Sequence, residues 1–280
     1  MKIFKSIMLM TMAAFMLVPG QAEAKKKENK VGIVAHRGFW NCEEAGKAQN
    51  SIAALKCAQK AGVWGSEFDV FLTADNHLVV NHDAVVDGLE IEKATYDQAR
   101  AIILPNGENM PNIDEYLQQG KKCKSTVLVY EVKSDNLSDE RQDIIADLSV
   151  QKVKEYKLSP KRVIFIAFSY RICKRIAEQM PGYTVQYLSS DKAPETVYAD
   201  GVNGIDYHGG ALKENTSWVS EAKALGMSTN VWTINKPEEM KFFYEMGVDQ
   251  LTTDVPLEAR KVLEQSGIKE NKAKKINITE

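Results

Sequence analysis

Between residues 31 and 265 a short apolar run rich in β-branched residues is followed by a stretch with apolar residues at helical spacing, and this pairing recurs eight times. The apolar runs are 31–36, 64–71, 126–132, 162–168, 184–188, 204–207, 228–233 and 249–252. Helices are expected at 51–61, 113–120, 137–156, 171–180, 195–199, 217–225, 237–246 and 257–265. A helix between two strands supplies the crossover that a parallel pair needs. Eight such units in this length fit a closed sheet better than an open one. The expected fold class is therefore α/β, a single (β/α)8 TIM barrel over 31–265 without an internal domain boundary. One more apolar run, 78–81, and an irregular stretch, 83–111, broken by Gly88, Pro105, Gly107 and Pro111, form a short insertion after strand two.

The flanks differ in character. Lys2 and Lys5, the apolar run 7–19 and then Ala22-Glu23-Ala24 have the pattern of a secretory signal peptide cut after Ala24. The apolar run is shorter than the ~20 residues that span a bilayer, so no stable membrane anchor is expected. Residues 25–30 look like a solvated linker, and 266–280, with Lys269, Lys272, Lys274 and Lys275, like a polar tail. The protein is accordingly expected to be exported, to the periplasm. Its 36 basic and 38 acidic residues leave a net charge of −2, which gives no general attraction to nucleic acid or anionic membrane. The sequence does not set the oligomeric state. Among the four cysteines, Cys42, Cys57, Cys123 and Cys173, no C-x-x-C pair suggests zinc. Cys42 and Cys57 could pair in an exported protein. A domain this large needs no staple, however, so all four are expected as small buried apolar residues.

In a (β/α)8 barrel the functional groups gather at the C-terminal ends of the strands. Polar clusters stand at His36-Arg37-Gly38, Glu67-Phe68-Asp69, His82-Asp83 and Glu131-Val132-Lys133. Alternate strand residues share a face, so Glu67 projects with Asp69 and Glu131 with Lys133. If both pairs turn inward, three carboxylates converge and raise one another's pKa, a conflict that a hard divalent cation resolves. Oxygen-only ligation suits Ca²⁺ or Mg²⁺. His36 and His82 offer a base and an acid near neutral pH, Arg37 a planar fork for phosphate oxygens, and Lys133 a point charge. Together these describe phosphoryl chemistry better than acyl or hydride transfer. The dinucleotide, P-loop, nucleophile-elbow and zincin signatures are all missing from the sequence.

The segments AHRG (35–38), QNSIAAL (49–55), GSEFDVFLTADNHLVVNHD (65–83), PNIDEYL (111–117), VYEVK (129–133), VWTIN (231–235) and TTDVP (252–256) occur in this order. In them the chain resembles the glycerophosphodiester phosphodiesterase family. The resemblance implies a metal-dependent TIM barrel that cleaves a small-molecule glycerophosphodiester into sn-glycerol 3-phosphate and an alcohol. It also implies His36 and His82 as catalytic histidines, Glu67, Asp69 and Glu131 as metal ligands, and Arg37 and Lys133 at phosphate-contacting positions. One departure is that the family's P-E-N-T is here Ala48-Gln49-Asn50-Ser51, where Gln keeps the size and an oxygen but loses the charge. Trp232 is expected against the glycerol or the leaving group, and Phe39 and Trp40 as an apolar rim. Asp206 and His208 are further candidates for the cleft, while His77 is expected at the surface. A related barrel phosphodiesterase acting on lysophospholipids or phosphoinositides is the enzymatic alternative. An exported binding protein with a decayed site is the non-enzymatic one, disfavoured by the intact set of acids and histidines.

Overall fold

The computed structural model describes residues 30–273. The expected signal peptide therefore lies outside the described residues, as do 25–29 of the linker and 274–280 of the tail. In chain order the elements are β1 (Lys30–Ala35), α1 (Ile52–Ala61), β2 (Gly65–Leu72), β3 (Leu78–Val80), β4 (Val85–Val86), β5 (Leu89–Glu90), a 3-10 turn (Ile91–Lys93), α2 (Tyr96–Arg100), α3 (Ile113–Lys122), β6 (Val127–Val132), α4 (Asp139–Glu155), β7 (Val163–Ala167), α5 (Tyr170–Gln179), β8 (Thr184–Tyr187), α6 (Pro194–Ala199), β9 (Gly204–His208), α7 (Gly209–Glu214), α8 (Trp218–Ala224), β10 (Ser228–Trp232), α9 (Pro237–Met246), β11 (Gln250–Thr253), α10 (Pro256–Gln265) and β12 (Lys269–Glu270).

Eight parallel strands close into a barrel in the order β1, β2, β6, β7, β8, β9, β10, β11, with β1 paired to both β2 and β11. This is the expected TIM barrel. Two apolar layers hold it. Inside, Val34, Val127, Val129, Ile164, Ile166 and Leu188 pack together with Trp64 and Trp232. Outside, strand residues such as Phe68, Tyr130 and Phe165 meet the helices, and Phe68 stacks on Tyr116 of α3 at 4.3 Å. Burying each such ring contributes about 1.5–3 kcal/mol. Gly32 belongs to the inner layer's geometry: a Cβ there would lie 2.7 Å from the Trp64 ring, so only glycine lets that indole fill the lower end of the barrel.

The insertion is not irregular throughout. β3 runs antiparallel to β2, β4 and β5 form a hairpin, and α2 follows. Phe71, Val79, Ile91, Ala99, Ile102 and Met110 give the insertion its own small core. A second correction is at the carboxyl end, where β12 pairs with Lys30 and Val31 of β1, so the sheet extends beyond residue 265 and takes in the last linker position. The third concerns cysteine. Cys42 and Cys57 are joined in a disulfide, while Cys123 and Cys173 are buried and free, as expected. The disulfide ties the loop after β1 to α1, a local constraint that domain size does not predict. Among the described residues no helix is long and apolar enough to cross a membrane.

Candidate active site

Strand alternation sends Phe68 outward to the helices and Glu67 and Asp69 into the barrel, and β6 does the same with Tyr130 and Glu131. The register places Asp69 directly beside Glu131. One oxygen from each of Glu67, Asp69 and Glu131 lies within 4.8 Å of the others, and all three side chains are buried. Burial first, then the charges of Asp69 and Glu131, push Glu67 well above the usual carboxylate range. Burial and Asp69 push Glu131 up to about 7. Lys133 places Nζ 3.1 Å from Glu131 and 3.7 Å from Asp69. Although burial disfavours its charge, the pull of those acids holds it above the ordinary lysine value. One ammonium does not neutralise three carboxylates, and Glu67 Oε1 is buried without a hydrogen-bond partner. An all-oxygen cluster with an orphaned acceptor fits a hard divalent cation.

His36 follows β1, and its Nδ1 lies 2.8 Å from Asp254 Oδ1. Asn235 and Trp40 also donate to that carboxylate, at 2.7 and 3.2 Å. Burial acts to raise Asp254, but His36, Asn235 and Trp40 outweigh it and hold the carboxyl down to about 2. His82 follows β3, with Nδ1 2.8 Å from Asp83. Burial keeps it below the ordinary imidazole value, against the pull of Asp69 and Asp83. Arg37 sits in the left-handed region, φ 54°, a conformation costing about 1–3 kcal/mol outside glycine. Its N–H donates to Glu67 at 2.7 Å, its carbonyl accepts from Asn50, and its guanidinium donates to Gln49 at 2.6 Å. Asn50 grips Asp69 twice, donating to the carboxylate at 2.8 Å and accepting from the backbone at 3.1 Å.

A cavity of about 290 Å³ is lined by His36, Arg37, Glu67, His82, Glu131, Lys133 and Trp232, with Asp69 buried in the acid cluster beside it. His36, Arg37, Glu67, Asp69, His82, Glu131, Lys133 and Trp232 are therefore brought together, as expected. The apolar wall is a different one from that expected. Ile166, Phe168, Leu188 and Trp232 form it, with Phe168 edge-on to Trp232 at 5.6 Å. Phe39 packs toward α1 and Trp40 donates to Asp254; neither is among the residues that line the cavity. Asp206 lines the cavity. His208 does not; its Nδ1 accepts from Gly210 at the start of α7. His77 is exposed, as expected, against Tyr96. Sequence reasoning missed Asp254, Asn235 and Asn50 as supports of the site. All three fall in segments that carried the family resemblance, where they had no assigned role.

The model of the glycerophosphoryl diester phosphodiesterase family matches residues 36–258. A solved glycerophosphodiester phosphodiesterase from Parabacteroides distasonis is 42% identical, with TM-score 0.82, over 86% of this chain and 99% of that one. A glycerophosphodiester phosphodiesterase of Caldanaerobacter subterraneus is 25% identical over 248 residues, 81% of this chain and 95% of its own. An Oleispira antarctica phosphodiesterase, solved in complex with the product sn-glycerol-3-phosphate, shares the fold at TM-score 0.68 and 21% identity, over 83% of this chain and 96% of that one.

Proposed function

Because this chain belongs to the glycerophosphoryl diester phosphodiesterase family, we propose that it is a divalent-cation-dependent hydrolase that cleaves glycerophosphodiesters to sn-glycerol 3-phosphate and an alcohol. The observation that carries this is the meeting of three buried acids, two imidazoles and two cations around one cavity. Glu67, Asp69 and Glu131 would hold Ca²⁺ or Mg²⁺, which when bound draws charge from the phosphate oxygens. Arg37 and Lys133 bind the phosphate and offset the charge that builds on it. Asp254 accepts from Nδ1–H of His36, which leaves Nε2 with its lone pair free, and stabilises the imidazolium once that nitrogen takes a proton. One histidine removes the proton from the attacking oxygen, of water or of the neighbouring glycerol hydroxyl, and the other protonates the departing alcohol. The test is a matrix of cations against glycerophosphocholine, glycerophosphoethanolamine and lysophosphatidylcholine. His36→Ala and His82→Ala are each expected to lose about 100-fold or more in kcat with an unchanged circular-dichroism spectrum. Full activity in either variant would remove that histidine from the mechanism.

Export to the periplasm belongs to the same proposal. The Cys42–Cys57 disulfide supports an oxidising compartment. Amino-terminal sequencing of the protein from its native cells is expected to start at Lys25.

A further inference from the structure

The order of strands around the ring places β9 four strands from β2 in either direction, across the barrel from Glu67 and Asp69. From β9, Asp206 lines the cavity while only 1% exposed. Its Oδ2 accepts from Asn230 Nδ2 at 3.0 Å, and that amide also donates to Thr252 at 3.0 Å. Its carbonyl accepts from Trp232 Nε1 at 2.9 Å. The carboxyl is thus held rigidly from β10 and β11. Its Oδ1, however, is buried with no hydrogen-bond partner. A purely structural acid would have both oxygens satisfied, since an unmatched buried one is costly.

We infer that Asp206 is a substrate-contacting specificity residue, whose Oδ1 hydrogen-bonds the terminal hydroxyl of the glycerol unit while the phosphate lies toward the acid cluster opposite. This inference rests on the phosphodiesterase activity proposed above. A hydroxyl both donates and accepts, so it completes Oδ1 whether the carboxyl is ionised or protonated. The carbon chain of glycerol carries that hydroxyl away from the phosphorus, in the direction that the cavity runs between β2 and β9. A diester in which this hydroxyl is missing or acylated leaves Oδ1 buried and unpaired. Sites built to bond a substrate hydroxyl discriminate most strongly against such analogues. A cationic head group is the competing occupant of the position.

The experiment compares kcat/KM for glycerophosphocholine, for the phosphocholine diester of 1,2-propanediol, which lacks the terminal hydroxyl, and for glycerophosphoethanol, whose head group is uncharged. The unaltered protein is expected to disfavour the propanediol diester by on the order of 100-fold. Asp206→Leu is expected to reduce that ratio to less than about 10-fold, and Asp206→Asn, which keeps a polar partner, to retain most of it. Being a ratio within one preparation, the measure is insensitive to partial loss of folded protein. An unchanged ratio in Asp206→Leu overturns the inference. So does a loss that falls selectively on choline over ethanol, or a changed cation requirement in Asp206→Asn. If the unaltered protein turns over none of the diesters, the activity itself fails and takes this inference with it.

Discussion

His36, Arg37, Glu67, Asp69, His82, Glu131 and Lys133 are each legible in the sequence, because a charged or titratable residue within or just after an apolar strand has few structural uses. Their supports are not legible in the same way. Asp254 lies 218 residues from His36, and only closure of the barrel makes them partners. Asp254→Asn keeps the size of the side chain but no longer favours the Nδ1–H tautomer of His36. A loss in kcat on the order of 100-fold or more is expected, with KM little changed, and steady-state kinetics would show it. Gln49 makes a second case. It occupies the position of an expected acid and accepts from Arg37 without neutralising it. Gln49 therefore forms no ion pair that would compete with phosphate for the guanidinium. Gln49→Glu is expected to raise KM for a glycerophosphodiester several-fold with a smaller effect on kcat, and a lowered KM would contradict this account.

At the scale of elements, the eight alternations were enough to read the barrel, because each strand and each main helix fills a window long enough to show its period. The insertion was not readable, since β4 and β5 have two residues each and α2 five. Elements that short are held by contacts with Phe71 and Val79 rather than by their own pattern. The disulfide escaped for a related reason. Domain size bears on total stability, whereas Cys42–Cys57 acts on one loop, the segment that carries Arg37, Gln49 and Asn50 between β1 and α1. With a separation of 15 residues, the bond is expected to contribute up to about 3 kcal/mol. Cys57→Ser should lower the thermal midpoint, and if the loop also loosens, KM should rise with it. Calorimetry and kinetics on the same preparation separate the two effects.

For the molecule as a whole, the acid cluster links folding, protons and cations. Glu67 and Glu131 titrate above an unfolded glutamate, about 4.3, Glu131 at about 7. Without a cation these two groups therefore hold more protons in the folded than in the unfolded state from about pH 4 to about 7, and their contribution to stability falls as pH rises through that range. A divalent cation competes with those protons. Adding Ca²⁺ or Mg²⁺ after chelation should raise the thermal midpoint more at pH 8 than at pH 5, and equal shifts would show that the cluster is not where the ion binds. The Trp64 indole, seated over Gly32 below the inner valines, has a consequence for turnover. Among the described residues it fills that end of the barrel, while the cavity lies at the other, among His36, His82 and Trp232. In the hydrolysis proposed above, both products then leave by the side from which substrate enters, so whichever departs last competes with the next substrate for the same space.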